Sequence, residues 1–326
     1  MKNPAFEWRF LLPAFWPVWI GIAFIFLLAL LPWFVQKRLG DLIGWLSWQL
    51  VGQRRKDTLV NLRLCFPEKT EAEREQIARG VFRYTGRGIF ETANAWFIPL
   101  EFYRRKIHFE GLELLQAAKA EGRGVLLLGA HYTSLDFGGA LCSLYIPIDT
   151  VFRPQNNKLF EYMARRQRDR VYDWQIDHDN MRGLIKALRQ GHVVWYTPDQ
   201  DYGLRQGVFA PFFGVEAATI TATARLARVN HSVVMFVHFY LREDGGINMS
   251  FFPGPENYPS GDDVADASRV NQQLEFMIRR APEQYMWYHR RFKTRPPGEP
   301  VPYVKKRRQI REEKELAAKA AAGKES

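Results

Sequence analysis

From Ile107 to Phe252 short β-branched runs alternate with amphipathic stretches, and this rhythm restricts the chain to very few architectures. Strands are expected at Ile107 to Phe109, Val125 to Leu128, Thr150 to Phe152, Val193 to Tyr196, Val233 to Tyr240 and Ile247 to Phe252. Between them, apolar residues recur at helical spacing in Leu112 to Ala120, Phe137 to Leu144, Lys158 to Arg168, Asn180 to Gln190 and Thr221 to Val229. Strands joined through helices pair in parallel, and the helices cover the sheet faces. The expected fold class is α/β: a central, mostly parallel β-sheet flanked by helices. A helix over Val264 to Arg280 and a turn around Pro282 close this unit, which is assigned to residues 106–295.

The first hundred residues have another character. No charged residue occurs between Arg9 and Lys37, and roughly 20 apolar residues suffice to cross a bilayer, so residues 1–36 are expected to supply a membrane-anchor helix. Pro13, Pro17 and Pro32 interrupt helical hydrogen bonding, and Trp16, Trp19 and Trp33 favour the headgroup zone, so a tilted or interfacial helix is equally allowed. Lys37, Arg38, Arg54, Arg55 and Lys56 outnumber Lys2 and Arg9, which puts the bulk of the chain on the cytoplasmic side. Residues 37–105 are expected to be helical and membrane-proximal: Leu39 to Leu50 carries Trp45 and Trp48, and Thr70 with Glu73 spells a capping box opening a helix toward Trp96. Leu39 to Leu50 suits a membrane surface or an ordinary core equally. Residues 296–326, ending in an Ala, Lys and Glu-rich stretch, have the composition of a basic, solvated tail. The net charge of +11 over 326 residues points to anionic partners, and the two cysteines, Cys65 and Cys142, fit a reducing compartment.

Val125 to Leu128 runs through Gly129 and Ala130 into His131, and Asp136 follows five residues later. An imidazole can take the proton of an attacking hydroxyl, and a carboxylate on its other nitrogen can fix the tautomer and steady the imidazolium. A spacing of five straddles a strand-to-helix corner: His131 at the strand end, Asp136 in the first helical turn, with Thr133 or Ser134 as N-cap. A second strand, Val193 to Tyr196, leads into Thr197-Pro198-Asp199-Gln200-Asp201-Tyr202-Gly203, which is either a plain turn or a loop presenting Asp199 or Asp201 to the same cleft. Arg165, Arg166, Arg168 and Arg170 crowd one helix end, as a solvated face or as a site for phosphate or a developing oxyanion. Glu283 to Lys293 interleaves aromatics with cations and, with no nucleic-acid motif beside it, suits lipid headgroups better than bases. His178, His192, His231 and His238 lack partners at metal spacing, so no metal is expected, and no Gly-x-Ser-x-Gly elbow supports a serine hydrolase through Ser134.

The segments His131-Tyr132-Thr133-Ser134-Leu135-Asp136, Val193 to Gly203 and Ala281 to Pro296 resemble the lipid A late acyltransferases, the Kdo-lipid A lauroyl and myristoyl transferase family. The last two are long and distinctive, and the resemblance runs from the anchor to Pro296. It implies a single N-terminal anchor in the inner membrane, a cytoplasmic-side active site, and transfer of a fatty acyl chain to a hydroxyl on an acyl chain of a lipid A precursor. The implied partners are acyl carrier protein as donor, the lipid A precursor and inner-membrane lipids, without nucleic acid or cofactor. Residue by residue, His131 is similar to the family's catalytic base, Asp136 to its acidic partner, and Arg168 and Asp199 to two further active-site residues. Arg170 and Asp201 stand beside these as candidate substrate-binding residues. Many members carry Glu where this chain has Asp136, which is one methylene shorter. On this resemblance His131 deprotonates the acceptor, Asp136 orients the imidazole, and the alkoxide attacks the donor thioester. One rival is the same chemistry on another phosphoglycolipid or glycerophospholipid; a second is a scaffold that only binds anionic lipid.

Overall fold

The computed structural model describes residues 5–304, apart from the Asn230 side chain. The described residues contain nine strands: β1 (Ile107–Glu110), β2 (Val125–Leu128), β3 (Asp149–Phe152), β4 (Gln175–Asp177), β5 (Val193–Tyr196), β6 (Gly207–Phe212), β7 (Val215–Ile220), β8 (Val233–Leu241) and β9 (Ile247–Pro253). Seven build one sheet in the order β1-β9-β8-β2-β5-β3-β4. The run β8-β2-β5-β3-β4 is parallel throughout, whereas β9 returns antiparallel to β8 and carries β1 parallel to itself. Every side chain of β2 is buried, as a central parallel strand covered on both faces requires.

Two strand features lie outside the expected pattern. β4 is three residues long, Gln-Ile-Asp, and too short and polar to register as a run. β6 and β7 form a separate antiparallel hairpin around Phe213 and Gly214, both at positive φ (53° and 75°) as a tight two-residue turn demands. Pro211 within β6 disguises it, and the hairpin tolerates Pro because it stands outside the main sheet.

The expected anchor segment is subdivided. 3₁₀ turns at Trp8–Leu11 and Pro13–Phe15 lead into α1 (Trp16–Ala29), and α2 (Trp33–Leu50) begins before the segment ends. The 14 residues of α1, at about 1.5 Å each, reach about 21 Å against a hydrocarbon core of about 30 Å. Among the described residues no helix is long and apolar enough to cross a membrane, so a spanning anchor is not found there. Pro32 ends α1, because the residue before a proline is pushed out of helical geometry. The buried Gln36 side chain then donates to the freed carbonyls of Ala29 (3.0 Å) and Leu31 (2.9 Å), fixing the corner between the helices.

α3 (Gly52–Cys65) and α4 (Glu71–Phe97) follow, and the Thr70–Glu73 capping box is formed in both directions. α4 is the spine against which α1 and α2 pack. A Cβ on Gly86 would collide with the Gly40 carbonyl, so glycine sets how closely α2 and α4 cross. The sheet is flanked by α5 (Leu112–Ala120), α6 (Leu135–Cys142), α7 (Lys158–Arg168), α8 (Met181–Arg189), α9 (Ala222–Asn230) and α10 (Asp263–Arg280). Of the expected tail, residues 305–326 lie outside the described residues, while Tyr303 is buried and accepts from the Phe292 backbone N–H at 2.9 Å.

Candidate active site

β2 and β5 are adjacent parallel strands with Leu128 opposite Tyr196. Each chain runs three residues past that pair, and the overshoot sets His131 against Asp199 at the carboxyl edge of the sheet, where open α/β folds bind ligands. The Gly129 N–H donates to the Tyr196 carbonyl at 3.0 Å and carries the register into the loops.

Asp199 holds His131 at two points. Its Oδ2 accepts the His131 backbone N–H at 3.0 Å, and its Oδ1 lies 2.6 Å from Nδ1. The Tyr285 hydroxyl donates to the same carboxylate. Burial by itself would raise the Asp199 carboxyl, but the His131 charge and these hydrogen bonds hold it at about 2. For His131 the balance is mirrored: burial lowers the imidazole pKa, the neighbouring carboxylate outweighs it, and the net shift is upward. With Nδ1 engaged, Nε2 is left to accept a proton, 3.4 Å from Thr197 Oγ1. The imidazole is 19% exposed, so a substrate hydroxyl can reach it. His289 lies with its ring 5.9 Å away, and burial followed by the His131 charge lowers it to about 4.

The expected pairing of His131 with Asp136 does not form. Asp136 does occupy the first turn of α6, yet no hydrogen bond or electrostatic contact joins it to His131. The reason lies in the loop between them. The His131 carbonyl accepts from Met286 N (2.9 Å) and Thr133 N donates to the Gln284 carbonyl (2.8 Å), so residues 131–134 are pinned to the segment after α10 and α6 starts with Asp136 turned elsewhere. Asp136 opens onto a crevice lined by Trp96, Ala140, Gln167, Arg168 and Tyr172. Crowding by protein raises its carboxyl, opposed by the charge of Arg168.

The arginines divide by partner. Arg165 pairs with Glu161 at 2.6 Å, Arg166 donates to the Tyr162 hydroxyl at 3.1 Å, and Arg170 donates to the Trp96 carbonyl at 2.8 Å and Gln167 at 2.9 Å. Arg170 therefore braces α7 on α4. Arg168 donates through Nε to Gln175 (2.9 Å) and stacks on Phe152 (4.4 Å), while its Nη2 has no hydrogen-bond partner among the described residues. Asp201 is likewise structural: it accepts from Thr294 N (2.8 Å), Thr294 Oγ1 (2.9 Å) and Gly203 N (2.8 Å), tying the loop after β5 to the C-terminal segment. The expectation that one carboxylate of this loop faces His131 is met by Asp199, not Asp201.

Three further features were not legible beforehand. Ser134, at the N-cap of α6, gives its hydroxyl to Glu91 of α4 and not to the helix, and burial raises Glu91 to about 7. The aromatic and cationic segment expected at lipid headgroups is internal: Tyr285, Trp287 and Phe292 are buried, and Arg291 donates to the Ala218 carbonyl (2.6 Å). At the opposite edge of the sheet His192, which has no partner at metal spacing in the sequence, meets Asp149 at 2.9 Å; with Asp173 their ligand atoms lie within 4.8 Å of one another.

Residues 3–294 match the family model described as bacterial lipid A biosynthesis acyltransferase. The chain is 40% identical over 303 residues to the lipid A biosynthesis lauroyltransferase of Escherichia coli, covering 92% of this chain and 99% of the relative. It is 39% identical over 301 residues to the palmitoleoyltransferase of the same pathway and organism, covering 92% and 98%. The corresponding myristoyltransferase is 30% identical over 309 residues, covering 93% and 95%.

Proposed function

The chain belongs to the bacterial lipid A biosynthesis acyltransferases, and from that premise we propose that it transfers a fatty acyl group from acyl carrier protein to a hydroxyl on an acyl chain of a lipid A precursor at the inner membrane. The observation that carries the mechanism is the His131–Asp199 pair, 2.6 Å apart. Asp199 takes the orienting role that the sequence had suggested for Asp136. It accepts a hydrogen bond from Nδ1–H and leaves Nε2 basic.

Nε2 removes the acceptor hydroxyl proton as the oxygen attacks the thioester carbonyl. The carbon–sulfur bond breaks, the ester forms, and the imidazolium returns its proton to the departing sulfur. No acyl-enzyme is needed, since the thioester is already activated. Arg168, whose Nη2 has no hydrogen-bond partner among the described residues and lies 3.7 Å from the Glu161 carboxylate, is the candidate to receive negative charge on a substrate, and the charge of Asp136 bears on it after that of Glu161.

The test is mass spectrometry of a lipid A precursor incubated with acyl carrier protein thioesters and the purified chain. One added acyl chain is expected with the wild type and none with His131→Ala. Near-normal transfer by His131→Ala, or acylation of a glycerophospholipid in place of the precursor, would overturn this assignment.

A further inference from the structure

The N-terminal helices are inside out for a chain surrounded by water. α2 turns Gln36, Gly40, Gly44 and Trp48 inward against α4 and turns outward Phe34 (66% exposed), Leu42 (50%), Trp45 (56%) and Leu50 (80%). α1 does the same: Ile22 and Ala29 are buried, whereas Ile20 (69% exposed), Phe24 (59%) and Leu27 (60%) follow one another at helical spacing on the open side. A water-facing helix shows the reverse pattern. Both helices are fastened to the body along their length. Phe10, just before α1, packs on Tyr162 of α7 with ring centroids 5.7 Å apart; Phe26 meets Phe97 at 5.4 Å; Gln36 is hydrogen-bonded to Asn94. Their inner faces are thus occupied by protein, and the outer faces alone are left for an apolar phase.

Cations border this surface, with Arg9, paired with Glu7, in the 3₁₀ turn before α1, Arg38 on α2, and Arg54 and Arg55 just beyond Leu50, which suits an anionic headgroup layer. The surface also leads to the site. Arg54 donates to the Tyr288 carbonyl at 3.0 Å, and His289, the next residue, stands 5.9 Å from His131.

We propose that α1 and α2 lie side-on in one leaflet of an anionic phospholipid bilayer without crossing it, and that this seat brings a lipid hydroxyl to His131 from within the membrane plane. The inference deepens the acyltransferase assignment and rests on it for the nature of the acceptor. Cys65 and Cys142 are buried, so a single added cysteine labels selectively. The full chain carrying Phe24→Cys, Leu42→Cys or Leu50→Cys, each with an environment-sensitive fluorophore, is mixed with vesicles of phosphatidylethanolamine and phosphatidylglycerol. All three labels should be quenched more by lipids spin-labelled near the headgroup than near the methyl end, and not by a soluble quencher trapped in the lumen. Deepest quenching at residue 24, or quenching from the lumen, means that α1 crosses and the proposal fails.

The combined variant Leu42→Ser, Trp45→Ser, Leu50→Ser should float with these vesicles at least about tenfold less than the wild type, since three apolar anchors are lost. Its transfer to detergent-dispersed acceptor should be unchanged. Undiminished flotation also defeats the proposal. Shallow quenching together with a wild type that acylates nothing would remove the enzymatic assignment and leave the membrane seat standing.

Discussion

Asp199→Asn keeps the shape of the side chain and removes the charge beside His131. Against the effect of burial, the His131 charge and the hydrogen bonds to His131 and Tyr285 hold the carboxyl at about 2 against an ordinary 3.8, a net stabilisation of the charged form on the order of a few kcal/mol. If those interactions are expressed mainly when the imidazole becomes cationic, loss of the charge slows the chemical step by about two orders of magnitude. The amide can also present an N–H to Nδ1, which moves the proton to Nε2 and removes the base, so a fall in kcat of roughly 10² to 10³ is expected with KM little changed. The pH profile gives a second measure. His131 must be neutral to act, and its pKa is raised, so kcat/KM in the wild type climbs with pH through a midpoint above the usual histidine value. Without the Asp199 charge, burial is the remaining influence and lowers the imidazole pKa, so the residual activity of the variant should retain its acidic limb at a lower pH. The assay is initial-rate acyl transfer from an acyl carrier protein thioester across the pH range in constant ionic strength. A variant within threefold of wild type, or one whose limb stays in place, would refute the assignment of Asp199 to His131.

Two more substitutions separate architecture from chemistry. Asp201→Asn sets an amide nitrogen against the Thr294 donors and should cost about 1–3 kcal/mol in denaturant unfolding, while the acidic limb of the rate profile stays put. A shifted limb would mean that Asp201 acts on His131 after all. Glu91→Gln probes a carboxyl raised to about 7 by burial. Such a group favours the folded state below its unfolded value near 4.5 and loses that contribution as pH rises through about 7, so the variant should gain on the wild type by up to about 3 kcal/mol between pH 5 and pH 8. Parallel stability curves for the two proteins would show that Glu91 does not ionise in that range.

The sheet was readable because its code is local. Val125 to Leu128 and Val193 to Tyr196 are continuous apolar runs that only a strand covered on both faces can use, and both form over the expected residues. The Thr70–Glu73 cap, the change of period after Lys106 and the position of His131 at a strand-to-helix corner are local in the same sense. The site was only half readable. His131 and Asp136 are near in sequence, and a motif five residues long invites the view that they touch. His131 and Asp199 are 68 residues apart and meet because β2 and β5 are neighbours in a given register.

The same division separates composition from location. A run without charge between Arg9 and Lys37 has the composition expected of a membrane anchor, but Pro32, the Gln36 corner and the packing of α1 and α2 on α4 decide that it is cut into pieces. Glu283 to Lys293 mixes aromatics with cations as a membrane-surface segment would, yet its register against the loop at His131 turns Tyr285 and Trp287 into the core. By itself the sequence determined most of the strands and helices and that an imidazole follows β2 at the carboxyl edge of the sheet. Which carboxylate stands behind it was decided by strand order and register, because hydrogen bonding between side chains depends on distances of a few ångströms that only the assembled sheet sets.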